Sequence, residues 1–183
     1  MTKPELSMYF LALIPGGEIK SEIMAFKEEV SQKFNSKGAL KSPPHITLHM
    51  PFKWRTDREE ALVDLLKAFK FEEFPLAIDL DGFDFFEPRV VFVHVVKNEP
   101  LQSLHQELTA YVRKSLKIFN SDYKDRGFHP HLTIGFRDLK KPAFFQAKAY
   151  YEKQDYRRKF MAKNICLLRH DGQRWQEWKY LSS

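Results

Sequence analysis

Pro44-His45-Ile46-Thr47-Leu48 returns, nearly unchanged in residue type, as Pro130-His131-Leu132-Thr133-Ile134. In an extended chain, side chains i and i+2 share a face. His45 and Thr47 therefore point together, and Ile46 and Leu48 point the other way. The second copy has the same parity, with His131 and Thr133 opposed to Leu132 and Ile134. Each copy predicts a strand with an apolar face for packing and a His/Thr face for chemistry. The proline before each histidine suits a strand entrance, where a missing N–H is tolerated. Placed side by side, the two strands would bring two imidazoles and two hydroxyls to one cleft.

Outward from the first copy, the apolar run from Met8 to Ile14, ended by Pro15-Gly16-Gly17, reads as a buried strand and a turn. Ile19, Ile23, Phe26, Val30 and Phe34 then step by three or four and predict a helix over 18–34. The motif strand is expected over 41–53. Thr56 and Glu59 have the spacing of a capping box, with Leu62, Leu65, Leu66 and Phe69 as the stripe of a second helix. Leu76, Ile78 and Leu80 alternate with polar neighbours as a strand that Gly82 could carry past a bulge to Phe86. Around the second copy, Val90 to Val96 reads as a buried strand and Glu99 to Phe119 as a long helix with Pro100 in its first turn. A polar loop is expected over 120–127, the second motif strand over 128–136 and a short helix over 142–151. Two strands, 160–169 and 174–181, are expected to be joined through an Asp171-Gly172 turn.

Strand, helix and motif strand thus occur twice in the same order. This predicts one domain over residues 1–183, an α+β body of two pseudo-symmetric lobes with the motif strands near the axis. A chain of 183 residues with 17 phenylalanines can bury a real core, and no Pro, Gly or Ser tract is long enough to be a linker. The formal charge of +6 suits an anionic partner such as phosphate, nucleotide or RNA. Cys166 is the only cysteine, so an intramolecular disulfide and a cysteine-rich zinc cluster are excluded. Among Ile165, Leu167 and Leu168 it reads as a buried, inert thiol. Met1-Thr2-Lys3-Pro4-Glu5 lacks an apolar signal core, and no stretch approaches the roughly 20 apolar residues of a membrane span. The expectation is a cytoplasmic protein, monomeric by default.

Paired His-x-Thr motifs, one in each half of a chain of this length, resemble those of the two-histidine (2H) phosphoesterase superfamily. Within it, His45-Ile46-Thr47-Leu48 and His131-Leu132-Thr133-Ile134 look most like the bacterial 2'-5' RNA ligase-like and cyclic phosphodiesterase proteins. The resemblance implies antiparallel sheets flanking a central cleft with helices outside. It also implies cleavage of a 2',3'-cyclic phosphate, or a related RNA or nucleotide phosphodiester, with no metal or other cofactor. Opening such an ester needs a base for the attacking water and an acid for the leaving ribose oxygen. An imidazole titrating near pH 6.5 can be either, which fits His45 and His131. The hydroxyls of Thr47 and Thr133 would donate to the non-bridging oxygens. A non-catalytic module for RNA ends or nucleotides is the alternative of a different class, and 2'-5' ligation is the reverse chemistry on the same residues.

Strand parity extends the candidate site. His49 and Lys53 share the parity of His45, and His129 and Arg137 that of His131. Lys53, Arg137 and His129 are candidate substrate contacts. His129-Pro130-His131 could also suggest two metal ligands, but no carboxylate cluster accompanies it in the sequence, so no metal is assigned. Tyr9, Phe10, Phe52, Trp54 and Phe136 are candidates to stack a base, while His94 and His105 read as structural.

Overall fold

The computed structural model describes residues 4–119 and 127–181, so the expected loop over 120–127 lies, apart from Gly127, outside the described residues. The elements are β1 (Leu6–Leu13), α1 (Gly17–Phe34), β2 (Ile46–Arg55), α2 (Glu59–Lys67), β3 (Leu76–Phe86), β4 (Val90–Val95), α3 (Glu99–Leu116), β5 (His131–Gly135), α4 (Lys141–Tyr151), β6 (Arg157–Ala162), β7 (Ile165–His170) and β8 (Trp175–Leu181). The strands form one eight-stranded sheet in the order β6-β3-β4-β5-β2-β1-β7-β8. Every pairing in it is antiparallel. The two motif strands, β2 and β5, are central neighbours and meet at one register pair, Ile46 with Leu132. The sheet is therefore two four-stranded halves joined at a narrow seam.

The single strand expected over 160–169 is instead two strands at distant places in the sheet. β6 pairs with β3 and β7 with β1, and the polar pair Lys163-Asn164 interrupts the run between them. Asn and Lys are poor strand formers, and β6 is mostly exposed where β7 is mostly buried. This break also fixes the shape. β6 and β7 stand six inter-strand spacings apart in the sheet order, about 29 Å if the sheet were flat. Three consecutive Cα–Cα steps, from Ala162 to Ile165, reach only about 11 Å. The sheet must curl until its β6 edge comes round to β7.

Helices cover one face of the sheet, and the alternation of the strands decides which. Leu11, Leu13, Ile46, Leu48, Val91, Val93, Leu132 and Ile134 are fully buried against helix residues such as Ile23, Val30, Leu104 and Leu108. The helices are exchanged between the halves, since α1 packs on β5 and α3 on β2. Gly135 permits the first of these contacts, because a Cβ there would lie 3.1 Å from Val30 Cγ1. Among the described residues, no helix is long and apolar enough to cross a membrane.

Local chemistry sets the helix ends. Asn98 accepts a hydrogen bond from the Leu101 amide at 2.8 Å and caps α3, with Pro100 in the first turn. The expected capping box before α2 does not form. Thr56 Oγ1 donates to the Glu5 carbonyl, and Glu59 instead takes the Tyr9 hydroxyl and pairs with Arg169.

A clamp ties the approach to β2 to the exit of β5. The Asp138 carboxylate accepts from Ser36 Oγ at 2.7 Å and from the amides of Lys37 and Gly38. Burial pulls the Asp138 pKa upward, but these donors outweigh it and hold the group below the usual carboxylate range. Gly38 sits so close that a Cβ would lie 2.6 Å from the Phe136 carbonyl oxygen and 2.9 Å from Asp138 Oδ1. Gly38→Ala should therefore lower unfolding free energy by about 1–3 kcal/mol. Urea denaturation checks it, and an unchanged midpoint would mean the clamp has slack to spare.

Candidate active site

The seam between the halves brings the motif residues together. With Ile46 opposite Leu132, extending the antiparallel register by one residue sets His45 across from Thr133 and Thr47 across from His131. Ile46 and Leu132 are buried in the core, so all four motif side chains lie on the opposite face. Diagonal neighbours such as His45 and His131 then stand about 7–8 Å apart along the backbone, with Cβ atoms somewhat closer, room for a phosphate between two imidazoles. The outer partners are Ala12, paired with Thr47 on β1, and His94 and Phe92, paired with His131 and Thr133 on β4.

Both imidazoles are fixed in the same way. His45 Nδ1 lies 2.7 Å from the Pro43 carbonyl oxygen, and His131 Nδ1 lies 2.7 Å from the His129 carbonyl oxygen. A carbonyl only accepts, so each Nδ1 carries the hydrogen. Each Nε2 is then the position that gains or loses a proton. A neutral ring offers an Nε2 lone pair, a base, and a protonated ring offers Nε2–H, an acid. Neither histidine has to turn to change role. Aromatic rings hold the imidazoles laterally, Phe10 at 4.9 Å from His45 and Phe92 and Phe86 at 5.0 and 5.1 Å from His131.

Burial lowers both histidine pKa values. His45 is pushed down to about 4, first by burial, then by the nearby Lys27 ammonium and by His131, against the pull of the Pro43 carbonyl. His131 is lowered by burial, against the pull of the His129 carbonyl. Lys27 itself is buried in α1, and its Nζ donates to the carbonyls of Ala39 and Ser42 at 3.0 and 2.8 Å. It anchors the turn that delivers Pro43-Pro44-His45 to β2. Burial brings its pKa down to about 7, while the two carbonyl acceptors favour its charged form.

The other predicted residues divide. Two irregularities in the β1–β2 register, between Tyr9 and Leu11 and between Leu11 and Ala12, break the alternation of β2. They turn His49 into the core, where it is buried with its Nδ1 on the Met50 carbonyl oxygen. The two shifts cancel for Lys53, which pairs with Met8 and returns, exposed, to the motif face at the far end of β2. The second motif strand ends at Gly135 and not at Phe136. Arg137 follows it in left-handed backbone (φ 61°), so parity does not aim it, and its guanidinium lies over the Phe136 ring. His129 precedes β5 and supplies the carbonyl that holds His131.

Of the five candidate stacking rings, Phe10 lies beside His45. Tyr9 and Phe52 are core residues, Trp54 donates to the Arg58 carbonyl, and Phe136 lies just past the end of β5. Cys166 is buried, and burial raises its thiol to about 12, an inert group as expected. Several neighbours escaped the sequence reading. Phe92 and His94 share the parity of one face within Val90–Val96, a signal that was present but masked by the valines. Lys27 occupies the apolar stripe of α1 with Ile23 and Val30, and a lysine at such a position is itself the signal. Asp84 and Phe86 reach the site only through strand pairing, which local sequence does not encode.

Known proteins resemble this chain in sequence and in fold. The family model of the 2'-5' RNA ligase superfamily matches residues 17–174. A Geobacillus sp. (strain WCH70) protein with a phosphoesterase name is 30% identical over 133 residues, covering 72% of this chain and 69% of that protein. A Geobacillus kaustophilus protein, similarly named, is 30% identical over 119 residues, 64% of each. Among solved structures, E. coli LigT complexed with NADP+ superposes with a TM-score of 0.65 at 19% identity, covering 99% of this chain and 98% of that one. A Thermus thermophilus protein, TT0787, gives 0.65 at 18% identity, covering 96% of this chain and 97% of that one. The duplicated His-x-Thr strands, the curled antiparallel sheet and the family match make this chain a 2H phosphoesterase of the 2'-5' RNA ligase superfamily.

Proposed function

We propose that this enzyme hydrolyses a 2',3'-cyclic phosphate, or a related phosphodiester of RNA or a nucleotide, by metal-free acid/base chemistry between His45 and His131. The observation that carries the reading is the matched pinning of both rings, each Nδ1 on the carbonyl two residues before it. One Nε2 takes the proton of the attacking water while the other delivers a proton to the ribose oxygen as the P–O bond breaks. Thr47 and Thr133 donate to the non-bridging oxygens. Lys53, at the outer end of β2, His129 and Arg137 are the proposed contacts to the rest of the substrate. Structures of E. coli LigT hold NADP+, 3'-AMP and ATP, which supports a nucleotide or RNA substrate here.

A product-resolved assay on 2',3'-cyclic nucleotides and oligoribonucleotides with cyclic ends tests this. Hydrolysis that survives EDTA is expected. Tight binding of a nucleoside 2'-phosphate with no turnover of any cyclic substrate would make the protein a binding module, and strict dependence on an added metal would refute the metal-free mechanism.

The lowered proton affinities give a pH prediction. kcat/KM reports the free enzyme, and a bell with one ring neutral and one protonated peaks between their two pKa values. Both lie below the ordinary 6.5, His45 at about 4 and His131 also lowered. The kcat/KM optimum should therefore fall on the acid side of pH 6.5. A bound phosphodiester anion favours the protonated rings, so the kcat profile should shift upward relative to it. Coinciding profiles centred above pH 7 would show that burial does not govern these rings.

A further inference from the structure

A second cluster of titratable side chains lies on the motif face, towards the β6 edge of the sheet. Asp84 on β3, His94 on β4 and His129 before β5 each offer a ligand atom, and the three atoms lie within 4.8 Å of one another. Register assembles them. Asp84 pairs with Phe92, two residues from His94, and His94 pairs with His131, two residues from His129.

Two features set this cluster apart from an ordinary polar patch. His94 Nδ1 and His129 Nε2 are both shut from solvent and both lack a hydrogen-bond partner, a state that native proteins largely avoid for buried polar atoms. Asp84 Oδ1 accepts from the Phe85 amide, and Oδ2 lies 4.0 Å from His94 Nδ1. That distance is too long for a hydrogen bond. A cation bonded to both at about 2.0–2.2 Å would span this gap only at a wide angle, and tetrahedral coordination needs the two groups to draw together by about 0.5 Å.

The catalytic duplication does not call for these residues. Extending the β1–β2 register one step beyond the pair Leu13–Ile46 sets Ile14 beside His45, the place that His94 takes beside His131. The second half has added an imidazole where the first has an aliphatic side chain. Lys97 sets a positive charge near His129, and Asp84 a negative one.

We propose that Asp84, His94 and His129 bind a divalent transition cation through one carboxylate oxygen and two imidazole nitrogens. The donor set suits zinc, with a coordination position left for water or a substrate oxygen. The site borders the catalytic pair through His129, whose ring is the ligand and whose carbonyl holds His131. It is not required by the metal-free reaction, and it stands whether or not the phosphoesterase reading does.

Cobalt(II), whose d–d absorption reports coordination, is the probe. EDTA-treated, dialysed full-length protein titrated with Co2+ should take up one equivalent with visible bands, which Zn2+ then displaces. His94→Ala and His129→Ala should each weaken binding by at least about 100-fold, the upper end of what changes outside the ligand shell cost. Asp84→Asn should weaken it as well, and His131→Ala should leave it in place. Circular dichroism confirms that each variant is folded, and His94→Asn gives a second replacement at the central position. Absence of a saturable equivalent would overturn the proposal. So would unchanged binding in the His94 variants, or binding lost in His131→Ala and kept in His94→Ala, which would put the ion on the catalytic ring.

Discussion

His45→Ala and His131→Ala are each expected to lower kcat for cyclic-phosphate hydrolysis by about 10²–10⁴-fold, the usual contribution of a positioned proton-transfer group. Both effects should be of this size because the two rings are held alike, by a carbonyl at 2.7 Å and by flanking phenylalanines. The double variant should be little worse than the poorer single one, since groups that act as a unit are not additive. Single-turnover kinetics measures this, and undiminished turnover in either variant would sink the mechanism. Stability supplies a separate readout. Burial lowers the folded His45 pKa to about 4, so the unfolded chain binds an extra proton between roughly pH 6.5 and 4. Wild-type stability should fall as pH drops through that window, and His45→Ala should fall less.

Thr47→Val and Thr133→Val are expected to cost about 10²–10³-fold each in kcat, the loss found when one donor to a developing oxyanion is removed. Valine keeps the β-branched shape, so strand and packing should persist. The crossed register is the reason that both hydroxyls are expected to matter. Extended from Ile46–Leu132, it places Thr47 beside His131 and Thr133 beside His45, so each half supplies the donor next to the other half's imidazole. Steady-state kinetics should show kcat falling with KM little changed, and Thr→Ser at either place should restore most of the rate. A raised KM with kcat intact would mean that the hydroxyls only hold the ground state.

Much of this was legible in the chain because it is written locally. Two-residue alternation around Ile46 and Leu132 gives the strand faces, three-to-four spacing gives α1 and α3, and the repeated pentapeptide gives the proposed catalytic pair. What escaped is set by pairing or by irregular backbone. Nothing near Lys163-Asn164 says that β6 and β7 take different neighbours. The shifts in β1–β2 register bury His49 against its own parity. Arg137 leaves the strand because its backbone turns left-handed after Gly135. Asp84 and His94 are ten residues apart on different strands, and only the β3–β4 and β4–β5 ladders place them near His129.

The single-rung seam between β2 and β5 has a consequence for how tolerances are set in this enzyme. The gap between the two imidazoles is a dimension of neither half; it is gauged between them. One ladder pair, the Asp138 clamp and the exchanged packing of α1 and α3 act as the spacers. Residues outside the motif, Gly38 and Val30 among them, therefore help to set the spacing of the two proposed proton-transfer groups, and an adjustment there is expected to retune the enzyme without altering either imidazole.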